Sequence, residues 1–120
     1  MPTASADYQF LNLANALEYL VDRQGVRDML PHLMKSLDRD VPDITQMLLA
    51  GNSAEAALRL HSLKGFLPIF CYPDLFSELV RVEKLCKAGP SADLQEAYGA
   101  LALQLQGLAR DVSHFQSESD

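Results

Sequence analysis

Apolar residues recur along this chain every three or four positions and almost nowhere in strict alternation. Residues at that spacing share one face of an α-helix, so the pattern predicts helices and no sheet. Five segments stand out. The first, about 8–23, aligns Leu13, Leu17 and Leu20, with Phe10 a turn earlier. The second, about 27–50, carries Leu30, Leu33, Leu37, Val41, Ile44 and Leu48. Asp28 as its cap would put Pro31 in the first turn, whereas Pro42 falls mid-segment and is expected to bend the helix. The third, about 53–71, starts at Ser53 as N-cap and turns Ala56, Leu60, Leu63, Leu67 and Phe70 inward. The fourth, about 73–88, opens on Pro73 and Asp74 and buries Leu75, Leu79, Val82 and Leu85 or Cys86. The fifth, about 91–114, contributes Leu94, Leu101, Leu105 and Leu108.

Breaks fall at Gln24-Gly25, Gly51-Asn52-Ser53, Tyr72-Pro73-Asp74 and Gly89-Pro90-Ser91, where Gly ends one helix and Ser or Pro starts the next. Four long amphipathic helices on short loops predict an all-α fold, an antiparallel up-down-up-down four-helix bundle over residues 8–115. The short first segment is expected to cover one end as a leading helix. The small, polar ends, 1–7 and 116–120, are expected to be flexible tails.

The 120 residues suffice for one domain, and 48% apolar against 22% charged residues is ordinary for a soluble globular chain. Sixteen acidic against ten basic residues leave a net charge of −6, which argues against nucleic acid, since phosphate binding needs clustered Lys and Arg. No apolar run reaches membrane-spanning length, and the start MPTASADYQF lacks the basic and apolar regions of a signal peptide. A cytoplasmic monomer without membrane insertion is expected. Cys71 and Cys86, the two cysteines, are expected to be buried small hydrophobes in a reducing compartment. Their spacing offers no paired ligands for zinc, so neither a metal nor a cofactor is expected. No phosphate loop, nucleophile elbow or zinc-protease helix is present, so an enzyme acting on its own is not expected.

Of three histidines, His32 adjoins a core stripe and His114 sits in a last helical turn, where a cation suits the negative helix end. His61 differs. In the third segment Ala57, His61, Lys64, Gly65 and Pro68 fall opposite the inward stripe, so this face is expected to meet water. An exposed neutral imidazole offers a lone pair to an electrophile. Lys64, one turn on, is placed to pair with a dianionic group on that ring. Gly65 costs about 1 kcal/mol against Ala in a helix interior, which suggests a close approach to the backbone there. Pro68 extends the low face and should bend the helix beyond the site. Spacing alone does not separate this reading from an ordinary solvated face.

The stretch His61-Ser62-Leu63-Lys64-Gly65 resembles the signature of histidine-containing phosphotransfer (HPt) domains, His-x-Leu-Lys-Gly. The similarity extends over about residues 12–112. It includes the Ala-rich turn before His61, Leu75 and the Val82-Glu83 pair downstream, and Ala16-Leu17 in the leading helix. The resemblance implies that His61 accepts a phosphoryl group from the aspartate of one receiver domain and passes it to another. It further implies Lys64 as the phosphate-stabilising cation and Gly65 as the gap that admits the receiver. The apolar rim near Ala57, Pro68 and Ile69 is expected to form the small docking surface around them. The partners so implied are response-regulator receiver domains and a hybrid sensor kinase, and the metal and catalysis of transfer belong to the receiver. Phe66 and Leu67 replace two usually small residues, Cys71 replaces a frequent glycine, and Pro68 and Pro73 are unusual. The rival expectation is a helical adaptor or chaperone-like protein, including a degenerate relative that binds receivers without transfer, which would be indifferent to His61.

Overall fold

The structure is a computed structural model, and it describes residues 8–118. Six helices follow in order: α1 (Leu13–Leu20), α2 (Arg23–Leu49), α3 (Ser53–Lys64), α4 (Leu67–Phe70), α5 (Pro73–Ala88) and α6 (Ala92–Ser117). The fold is all-α, and no strand beyond one isolated bridge occurs among the described residues. α2 and α5 each pack against both α3 and α6, and α1 lies on α2 and α4. The result is an elongated body of 46 × 22 × 21 Å. No described helix is long and apolar enough to cross a membrane.

The predicted inward stripe of α3 and α4, Ala56, Leu60, Leu63, Leu67 and Phe70, is buried throughout. The core also takes Leu30, Leu33, Leu37, Ile44 and Leu48 from α2, and Leu94, Leu101, Leu105 and Leu108 from α6. Each such side chain removed from water stabilises by about 1.5–3 kcal/mol before chain entropy is counted. Among the described residues two core positions are charged, Asp40 and Glu83. Asp40 in α2 is buried where Val41 was expected, and it accepts from Arg39 Nε at 2.9 Å and from Arg59 Nη1 of α3 at 3.1 Å. Arg59 also reaches Asp43 Oδ2 at 2.7 Å, so one guanidinium ties α3 to two turns of α2.

Several boundaries differ from expectation. Residues 8–12 are not helical: Phe10 and Leu11 donate their backbone N–H groups to Asp111 Oδ2 of α6 at 2.8 and 3.1 Å. Leu11 bridges to Cys71, and Asn12 N donates to Phe70 O at 2.7 Å. A chain whose donors are taken by distant acceptors gains nothing by coiling, and α1 starts only after Asn12 caps it. α2 begins at Arg23, with Asp22 rather than Asp28 as its cap, so Pro31 lies inside the helix. It runs unbroken through Pro31 and Pro42, both on the exposed side, each of which removes one backbone donor from the helix. Near Pro42, Val41 O receives the Tyr98 hydroxyl at 2.9 Å and Thr45 Oγ1 at 3.0 Å. α3 is preceded by Asn52 as cap, with no side-chain bond, and Ser53 is its first residue. α6 continues to Ser117, shortening the expected C-terminal tail, while 1–7 and 119–120 lie outside the described residues.

The expected break at Gln24-Gly25 is instead a tight joint at Val21-Asp22, where Val21 takes φ 77° and Asp22 N donates to Leu20 O at 2.9 Å. This folds Leu20 back onto α2, and a Cβ on Gly25 would stand 2.3 Å from the Leu20 carbonyl oxygen. Backbone must yield there. Gly25→Ala is therefore expected to destabilise by about 1–3 kcal/mol through overpacking. Gly99→Ala, on the exposed side of α6 with open space around it, should stabilise by up to about 1 kcal/mol through helix propensity alone. Urea unfolding of the two variants checks the opposite signs.

Candidate functional site

His61 lies in the last turn of α3, with its side chain 68% exposed. The helix stops three residues later because Pro68 has no N–H for the Lys64 carbonyl and its ring would crowd that turn. Gly65 becomes the C-cap, and its N–H donates to Ser62 O at 3.1 Å. The bend expected of Pro68 is thus a full interruption, with Pro68 in the first turn of the short α4. Asn15 of α1 fastens that turn from outside, donating through Nδ2 to Pro68 O and Ile69 O, both at 3.1 Å.

Beneath His61 sits the carboxylate of Glu83, on α5 and only 3% exposed. Its Oε1 receives Lys64 Nζ at 2.7 Å, while its Oε2 lies 3.3 Å from His61 Nδ1 and 3.3 Å from Lys87 Nζ. Burial pushes this carboxyl up, but the hydrogen bonds and charges of Lys64 and Lys87 outweigh it and hold Glu83 below the ordinary glutamate range. An ionised carboxylate only accepts, so the hydrogen bond requires the proton on Nδ1. The Nε2 lone pair is then left for solvent or a partner, the tautomer logic of a carboxylate-oriented histidine.

His61 and Lys64 therefore meet on one carboxylate, Gly65 is exposed beside them, and Pro68 is exposed beyond the interruption. Ala57 does not join this face. It is 4% exposed, because α3 packs against both α2 and α5 and its buried arc is wider than one stripe. Leu58, one turn before His61, is the exposed apolar neighbour instead, at 69%. Leu67 is buried, while Phe66 is half-buried and forms with Ile69, Met29 and Leu33 part of an apolar groove between α4 and α2. Sequence reasoning missed Glu83 and Lys87 as site residues. Their signals were a carboxylate in the phase of Leu79, Val82 and Cys86, and a Glu four residues before a Lys.

The two thiols are buried as expected. Burial drives Cys71 up to about 11 and also raises Cys86, helped by the Glu83 charge, so neither supplies a thiolate near neutral pH. His32 borders the apolar groove, and His114 stacks edge-on to Tyr8 at 5.9 Å. Among the described residues, no group of three or more His, Cys, Asp or Glu is arranged to hold a metal ion. Comparison with protein-family models, curated proteins and solved structures finds no match for this chain.

A carboxyl held below its ordinary value of 4.5 contributes stability that is present above that value and lost as pH falls through the lower folded value. Glu83→Gln should cost about 1–3 kcal/mol at pH 7, where a charge-assisted network is replaced by a neutral amide. The gap between wild type and variant should narrow near pH 3, as urea midpoints at the two pH values would report.

Proposed function

We propose that this chain is a histidine-containing phosphotransfer domain, with α2, α3, α5 and α6 forming an antiparallel up-down-up-down bundle led by α1. In this reading His61 is the phosphoryl carrier. The observation that carries it is the buried Glu83 carboxylate under an exposed imidazole, which pins the Nδ1 proton and leaves Nε2 outward. A solvated histidine without a task needs no such support, since burying a carboxylate is costly unless its donors are supplied.

The chemistry follows from that tautomer. The Nε2 lone pair attacks the phosphorus of a receiver's aspartyl phosphate. The bond from phosphorus to the aspartate oxygen breaks, its electron pair returns to the carboxylate, and the new N–P bond leaves the ring protonated on Nδ1 and facing Glu83. Transfer to a second receiver is the reverse step. Little else is asked of this chain, because phosphoryl transfer depends on positioning and charge stabilisation that the receiver's pocket supplies. Exposed Leu58 and Gly65 flank His61 and give a receiver an apolar contact and a low stretch of backbone on which to settle.

Incubation with a phosphorylated receiver tests the reading. Wild type should acquire an acid-labile, base-stable label that His61→Gln lacks, and Leu58→Glu should slow labelling about tenfold by putting a charge into the contact. An unlabelled wild type that still binds the receiver, with His61→Gln binding equally well, would leave a non-catalytic adaptor.

A further inference from the structure

Lys64 is the cation that the signature points to, yet its ammonium is bound at 2.7 Å to Glu83 Oε1. One lysine against one carboxylate leaves no net charge for an incoming phosphoryl dianion. Lys87 changes that count. It reaches the same carboxylate from α5, on the oxygen that also touches His61 Nδ1, so only one oxygen atom separates the Lys87 ammonium from the imidazole. The Lys87 side chain is 65% exposed, against 28% for Lys64, so its ammonium is the more open of the two to a group arriving from solvent. An ammonium has three N–H donors, and its contact with Oε2 occupies one.

We propose that Lys87 is a second phosphoryl-binding cation and the source of the net positive charge at His61. The proposal rests on the phosphotransfer reading above. Two ammoniums and one carboxylate sum to +1 beside the imidazole, and removing Lys87 returns the sum to zero. The phosphoryl group on Nε2 would then be flanked by Lys64 from α3 and Lys87 from α5, and it would be stabilised by both charges. A surface cation acting at this range is worth up to about fivefold in an equilibrium constant, and the effect should be screened by salt.

The test uses the whole chain equilibrated with a phosphorylated receiver, and separately with phosphoramidate, a small donor that needs no protein contact. Lys87→Gln should lower the equilibrium constant for His61 phosphorylation by up to about fivefold with either donor. Lys87→Arg should restore it. Lys84→Gln, which removes an equal charge from the exposed side of α5, should stay within about twofold of wild type, since charges away from the ring are screened. At alkaline pH the His61 ring nitrogen resonances of unphosphorylated Lys87→Gln should show the same Nδ1–H tautomer as wild type, because Glu83 and Lys64 remain. Equal equilibrium constants in Lys87→Gln and Lys84→Gln would overturn the proposal, as would a changed tautomer, which would mean that Lys87 acts only by holding Glu83. A wild type that neither donor labels would instead remove the phosphotransfer reading, and this proposal with it.

Discussion

One buried carboxylate organises the surface around His61. Glu83 occupies a core-facing phase of α5 where a leucine would serve packing better, and its desolvation is tolerable only because three donors converge on it. Two come from α3 and one from α5 itself, so the register of these helices and the pose of the imidazole are set by the same contact. Removing any one donor leaves the others to satisfy a charge that cannot reach water. A histidine held this way keeps one ring nitrogen on the carboxylate and turns the other away from it, which an unsupported surface histidine does not.

The second constraint is the interruption between α3 and α4. Proline at position 68 ends the helix just past Lys64, and the freed turn is held by Asn15 and by the bridge between Leu11 and Cys71. The segment before α1 is itself anchored on Asp111 of α6, and Phe10 packs so close to Gly107 that a Cβ there would meet its ring at 2.3 Å. The low ground beside His61 is thus supported by residues distant in sequence. Phe66, displaced from the helical path, lines a groove with α2 and leaves Gly65 open.

Helix periodicity located most of the leucine core, because a leucine every third or fourth residue has few other ways to leave water, but it left out Tyr8, Leu11, Val26, Tyr98, Val112 and Phe115, which are also buried. It misjudged places where a distant partner outweighed local preference. Residues 8–12 carry helix-compatible side chains but give their N–H groups to Asp111 and Phe70. Gly25 looked like a stop signal and is a packing gap against Leu20. Ala57 lay on the polar side of a single stripe, yet α3 has neighbours on both flanks.

By itself the sequence determined the all-helical class, the inward stripes and the solvent-facing His61 with its neighbouring Lys64, all of which follow from spacing within one helix. The tertiary structure alone decided that Lys64 is already paired, that Glu83 lies beneath the imidazole and that Lys87 adds a second positive charge. Those facts depend on how α3 and α5 align across 22 residues of chain between His61 and Glu83. No periodicity encodes that distance, because a charge in an apolar phase reveals its partner only when the facing helix is in place.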